Sequence, residues 1–249
     1  MPRVLTLPLK CQEIWFFAGN HEEKTMTLSL DLIFVPQGPE YQAVKRAELP
    51  IPIVAIPAGL TAVEATLRRW KSQQPYRCAQ RVLVMGLGGS LIPQLQRGDV
   101  VLCDRCLSPQ GDCQAADGPL LEQLHHLYKQ QGQPLPQYSA YSSDRILHLA
   151  QQKQDLAQTS GAAVVEMEGW AIWQAFPQAA MIRVISDDCH QDLPDISKAI
   201  APNGKLKPLA LSHAFLKQPA AAMNLIRGSL QGLSQLTQTA HQLSPHLTP

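Results

Sequence analysis

Two short acidic sites put carboxylates where strands are predicted to end. They are Glu166-Met167-Glu168 and Ser186-Asp187-Asp188. A carboxylate in such a place can accept hydrogen bonds from a ligand, or move a proton to or from a reacting group. A third group, Gly86-Leu87-Gly88-Gly89, follows a predicted strand at 81–85. Its glycines suit a tight turn with positive φ, or a backbone cradle for a ligand or an anion. A fourth group, Gly38-Pro39-Glu40-Tyr41-Gln42, follows a predicted strand at 30–36. Taken singly, these groups have ordinary explanations. Glu168 fits a first-turn acid favoured by a helix dipole, and Asp187 fits an N-cap or turn acid.

The elements around these groups give them a common position. Short, nearly continuous apolar runs occupy 30–36, 51–56, 81–85, 99–104, 162–165 and 181–185. Helical spacing is read at 40–47, 61–70, 120–131, 145–159 and 168–175. A closing helix is marked by Met223, Ile226, Leu230, Leu233 and Leu236, which recur every three or four residues. Apolar strands separated by helices predict a single-domain α/β fold, with a mixed, mostly parallel sheet flanked by helices. Ligands gather at the carboxyl ends of the strands in such sheets, so the four groups are expected to face one rim. The Gln-rich stretches at 151–158 and 231–242 fit solvated helix faces, and 130–137, with two prolines, fits a loop.

Composition narrows the function classes. The chain has 249 residues, 45% of them hydrophobic, enough for one large domain. Its 21 Lys and Arg against 20 Asp and Glu leave no electrostatic footprint for nucleic acid or an acidic membrane. No apolar run approaches the roughly 20 residues that span a bilayer, and the start makes a poor signal peptide. The expectation is a cytoplasmic protein that binds small molecules. Residues 1–28 read as an appendage, 29–243 as the domain and 244–249 as a tail, with Met26 an alternative start. Cys103-x-x-Cys106 and Cys113 lack a second ligand cluster, so the six cysteines read as reduced thiols rather than a metal site. His125 and His126 read as exposed and Trp170 and Trp173 as packing residues, while His190 lies near the rim. A dinucleotide fingerprint is disfavoured: it wants a third glycine where Leu91 stands, and Pro93 disturbs the helix that should follow.

Three motifs in order carry a family resemblance. Gly86 to Val101, Gly-Leu-Gly-Gly-Ser-Leu-Ile-Pro-Gln-Leu-Gln-Arg-Gly-Asp-Val-Val, resembles the Gly-rich loop of the nucleoside phosphorylase and nucleosidase superfamily. Val165-Glu166-Met167-Glu168-Gly169-Trp170-Ala171-Ile172 resembles its Val-x-Met-Glu-x-x-Ala-Ile element, and Arg183-Val184-Ile185-Ser186-Asp187 its Arg-x-Ile-Ser-Asp element. Asp192-Leu193-Pro194 and Ala201-Pro202-Asn203-Gly204 look most like the bacterial hopanoid-associated phosphorylase branch.

The resemblance implies a three-layer nucleoside phosphorylase-like α/β fold. It implies cleavage of the N-glycosidic bond of a purine-type nucleoside, by a phosphorylase or a nucleosidase. Glu168 would hold the ribose hydroxyls, Met167 would pack against the sugar, and Asp187 would protonate the departing base. For that role burial would raise the acid's pKa, as would Asp188 if the two side chains approach. Gly86, Gly88, Gly89, Ser186 and Ile146 would complete the substrate contacts. No cofactor is implied, with phosphate a co-substrate in phosphorolytic members, and a homo-oligomer is expected.

Two positions depart from the family. Where members carry a water-activating carboxylate or a phosphate-binding Arg, the alignment puts Gln42; a slip of two residues offers Glu40 as the base. Leu87 stands where a Ser or Thr hydroxyl is usual. Both leave open a binding protein of this fold whose chemistry has decayed.

Overall fold

The structure is a computed structural model and describes residues 27–70, 80–199, 201 and 207–248. Residues 1–26, and with them Met26 as a start, lie outside the described residues, as do 202–204 of the tail motif.

The sheet begins with β1 (Leu32–Pro36) between β2 (Ile53–Ile56) and β3 (Arg81–Ser90), all parallel. Every residue of β1 is buried. It is covered on both faces, which explains its lack of polar alternation. The other strands are β4 (Val100–Leu107), β5 (Cys113–Ala115), β6 (Gln137–Ser142), β7 (Val164–Glu166) and β8 (Gln178–Asp187). β8 runs parallel to β3 and antiparallel to β4, and β4 and β7 are both parallel to β6. β7 returns antiparallel to the end of β3, so β3, β8, β4, β6 and β7 close into a ring. β5 is a short antiparallel addition to β4. The fold is a mixed α/β domain with its sheet flanked by helices, as expected.

β3 is the strand that makes the site. One edge pairs with β1 at Val82–Val84 and with β7 at Gly89 and Ser90. Between those stretches it has exchanged one neighbour for another, and its backbone opens onto a cavity. The sequence predicted that this strand stops at Met85. It runs five residues further, and none of Gly86, Gly88 or Gly89 has a positive φ. Their glycine character answers to close approach instead. A Cβ at Gly86 would lie 2.5 Å from Arg183 Nη1, one at Gly88 2.9 Å from Val164 Cγ1, and one at Gly89 2.8 Å from Asp187 Oδ2. No helix follows the glycines, only turns to Asp99, so the dinucleotide geometry is absent there.

The helices are α1 (Pro39–Lys45), α2 (Leu60–Trp70), α3 (Gly118–Gln130), α4 (Ala150–Ser160), α5 (Gly169–Ala175), α6 (Pro208–Lys217) and α7 (Pro219–Leu243). α4 was expected from residue 145 but begins at Ala150. The Gln152 side chain accepts the His148 and Leu149 N–H groups at 3.2 Å each and closes its first turn. That leaves 145–149 as a loop, and three of its residues form a cavity wall. Leu28 and Leu247 form a parallel bridge and are both buried, so the boundaries drawn at 28 and 244 run through a core contact.

α7 buries an unexpected face. The sequence stripe includes Met223, Ile226 and Leu230, yet these are exposed, as are Leu209 and Leu216 of α6. The buried face is Ala222, Gly228, Gly232, Leu236, Thr239, Ala240 and Leu243. Its small residues bring the helix backbone against β8, where a Cβ on Gly228 would lie 1.9 Å from the Ser186 carbonyl oxygen. Gly228→Ala therefore sets two effects against each other. Helix propensity favours Ala by about 1 kcal/mol, while overpacking against backbone costs about 1–3 kcal/mol. A backbone atom at that distance cannot rotate aside, so net destabilisation is expected. A thermal melt that rises for Gly228→Ala would refute this account of the packing.

Candidate active site

Glu40, Leu87, Gly88, Gly89, Met167, Glu168, Ser186 and Asp187 line one cavity of about 210 Å³, together with Arg145, Ile146 and Leu147 of the loop before α4. The expected rim thus exists at the carboxyl ends of β1, β3, β7 and β8.

One wall of the cavity is built around Arg183, which is fully buried on β8. Its Nη2 reaches Glu166 Oε2, and lies 3.2 Å from Glu168 Oε2. Glu166 also accepts from Ser142 Oγ and from the N–H groups of Glu168 and Gly169 at 3.0 and 2.7 Å. Glu166 thus ties the turn that presents Glu168 to Arg183 and Ser142. Glu168 is the N-cap residue of α5, but its side chain does not cap the helix. It turns to the cavity, where Oε1 accepts from Gly59 N–H at 3.2 Å. Gly59 has φ +97°, a conformation that favours glycine. Burial pushes the Glu168 carboxyl up from its ordinary value, against the pull of Arg183.

Glu40 lies in the first turn of α1, after Gly38 and Pro39. Its Oε1 accepts the Leu87 N–H at 2.6 Å, at the place where β3 has no strand neighbour on that edge. The Leu87 carbonyl faces Arg183 Nη1 at 3.5 Å. Backbone at position 87 thus joins Glu40 to the Arg183 network, whatever its side chain. Burial and the negative charge of Glu168 push the Glu40 carboxyl up to about 7. Gln42 is exposed on α1 and is not among the cavity-lining residues, because α1 turns it away while Glu40 faces in. Of the two, Glu40 is the one that borders the cavity.

Another wall carries Asp187. β3 and β8 slip by one residue between Gly88–Ile185 and Gly89–Asp187, so Ser186 bulges. The bulge aims Asp187 past Gly89 into the cavity. Ser186 Oγ donates to Asp187 Oδ1 at 2.7 Å. On the other oxygen sits a group that the sequence reading missed: Lys153 Nζ, 2.5 Å from Asp187 Oδ2. Asp188 points elsewhere; its carboxylate pairs with Arg97 at 3.1 Å. The neighbour of the acid is an opposite charge, not a like one.

Gly86 stands one layer behind the cavity, against Arg183 and Glu40. His126, His190 and His213 are exposed, and His125 Nδ1 faces the Leu135 carbonyl. Trp173 is buried in the core. Cys103 and Cys106 are buried free thiols of β4, and Cys113 is an exposed one. Among the described residues no group of three His, Cys, Asp or Glu side chains could hold a metal ion.

The phosphorylase superfamily model matches residues 61–217, more than half of the chain. The chain belongs to the phosphorylase superfamily. No curated protein sequence matches it. Solved structures with the same fold include Helicobacter pylori 5′-methylthioadenosine/S-adenosylhomocysteine nucleosidase, at 14% identity and TM-score 0.64, over 88% of this chain and 100% of that one. Futalosine hydrolase of the same organism matches at 13% identity and TM-score 0.64, over 88% and 99%. A putative nucleosidase of the first kind from Francisella philomiragia matches at 14% identity and TM-score 0.62, over 86% and 98%. At such identities these neighbours establish the fold of this superfamily member. The matched span contains the Gly-rich strand, Glu168 and Asp187 but not Glu40, which lies before it. No helix among the described residues is long and apolar enough to cross a membrane.

Proposed function

We propose that the chain cleaves the N-glycosidic bond of a purine-type nucleoside, with water as the attacking group. One observation carries the reading: Glu40, Glu168 and Asp187 border the same cavity. Each meets a different demand of the reaction. Cleavage builds oxocarbenium character on the ribose and negative charge on the base. Glu168 accepts hydrogen bonds from the ribose hydroxyls and fixes the sugar as that charge develops. Met167 packs against the sugar. Asp187 supplies a hydrogen bond or proton to the imidazole-side ring nitrogen of the base. Glu40 takes a proton from the attacking water.

Three carboxylates around the single guanidinium of Arg183 make a poor seat for phosphate, which supports hydrolysis. The nucleosidases and hydrolase of the same fold support it too. The reading requires no cofactor. A cytoplasmic setting and self-association of the chain belong to it; light scattering measures the latter.

The test is a panel of purine nucleosides, including 5′-modified ones, assayed for base release with and without phosphate. Release without phosphate is expected, and Asp187→Asn should reduce it about 10²–10⁴-fold. Strict dependence on phosphate would transfer the reading to phosphorolysis. The absence of release from every nucleoside, together with a raised melting temperature, would replace it with a nucleoside-binding protein.

A further inference from the structure

We propose that Lys153 is a positioning residue that holds the leaving-group proton and passes it through Asp187 to the departing base; this rests on the function proposed above. α4 is polar along almost its whole length, and Lys153 is its one buried residue. A Lys is almost never fully buried unless paired. Here the side chain is 0% exposed, with Nζ 2.5 Å from Asp187 Oδ2 and 2.7 Å from the Asp188 carbonyl oxygen. The carbonyl contact orients the ammonium, and the carboxylate contact spends one of its protons on the acid. Ser186 Oγ occupies the other carboxylate oxygen. No second acid shares Asp187, since Asp188 is drawn off by Arg97. With Ser186 Oγ on one oxygen and Lys153 Nζ on the other, Lys153 is the nitrogen donor placed to pass a proton to Asp187. Lys153 points at the acid from behind the cavity wall and is not among the residues lining it.

The step balances as follows. The electron pair of the C1′–N bond leaves with the base. The base nitrogen takes a proton from Asp187, and Asp187 takes one from Lys153 Nζ, which becomes a neutral amine. Water bonds to C1′ and gives its proton to Glu40. Glu40 then releases that proton to solvent, and Lys153 regains one from solvent.

A purely structural ion pair would serve any substrate equally, whereas a proton source matters only when the leaving group needs a proton. The experiment compares a purine nucleoside with p-nitrophenyl β-D-riboside, whose leaving group departs as a stable anion. Lys153→Met should lower kcat for the purine nucleoside about 100-fold with KM nearly unchanged, while the nitrophenyl riboside loses only a few-fold. Lys153→Arg, which restores the charge and the donors but whose guanidinium does not give up a proton, should recover little of the purine rate, and full recovery overturns the inference. The ratio of the two rates is independent of the folded fraction of the sample, and Lys153→Gln carries the same expectation if the Met variant folds poorly. Equal losses on both substrates, or no loss on either, overturn the inference and leave the proposed function standing. A wild-type protein inert towards both overturns the function and this inference with it.

Discussion

Glu40→Gln is expected to lower base release about 10²–10⁴-fold with little change in KM, the usual contribution of a positioned general base. The amide keeps the size of the side chain but accepts no proton from water. It can still accept the Leu87 N–H through its oxygen, so the α1–β3 contact survives and the loss is chemical. The pH profile separates this from misfolding. The Glu40 carboxyl is pushed up to about 7, so the basic form fills as pH rises through that value. Wild-type activity should climb up to and beyond pH 7 and then flatten, and in Glu40→Gln this rising limb should disappear. Stability moves the opposite way. The folded pKa lies above the ordinary value of 4.5, so between 4.5 and about 7 the folded state holds a proton that the unfolded chain has released. This contribution is present in full below 4.5 and is lost as pH rises through 7. A loss of equal size in Gln42→Ala, on the exposed side of α1, would return the role to the residue that the direct alignment chose.

Arg183→Met should cost about 3–5 kcal/mol of stability, the usual effect of removing one partner from a buried ion pair. Met fills much of the space of the arginine stem, so the loss comes from charge. Glu166 and Glu168 are left buried without a cation, and Glu40 loses the charge that opposes its desolvation. Arg183→Lys is not a safe substitution, because a compact ammonium cannot span two carboxylates and a carbonyl as the guanidinium fork does. The deficit of Arg183→Met should shrink at lower pH, since Glu168, already pushed up by burial, can then take a proton. Urea titrations at pH 5.5 and 8 measure both effects. A variant within about 1 kcal/mol of wild type at pH 8 would mean that solvent reaches these carboxylates, contrary to their burial.

Different parts of the molecule were legible in the sequence to different degrees. Strands such as β1, β3 and β8 were readable because they are buried and leave continuous apolar runs, and the acids at their ends followed, whereas β5 and β6 carry too few apolar residues and were not read as strands. The Gly-rich stretch was placed correctly but misread locally as a turn. Glycine signals both positive φ and close approach, and only the side chains of Arg183, Val164 and Asp187 in space distinguish them. α7 was found by its spacing, but only the Leu233 and Leu236 end of that stripe packs inward, while Met223, Ile226 and Leu230 are exposed. Large apolar residues normally mark the core, whereas here Gly228 and Gly232 mark it by letting backbones meet. Glu40 was held as an alternative because a helix rotates by 100° per residue, and two residues decide which side chain faces inward. Lys153 was hidden in a Gln-rich helix that reads as solvated. One sequence signal could have raised it: it is the single Lys in that polar stretch.

The approach of α7 to Ser186 has a mechanical consequence. Met223, Ile226 and Leu230 lie 140–160° around the helix from Gly228, given 3.6 residues per turn, and they face outward. A single helix diameter, about 10 Å, therefore separates the outer surface from the carbonyl next to Asp187. No loop lies between them to absorb a push. The outer face of this rod and the bulge that carries Asp187 are thus opposite sides of one helix.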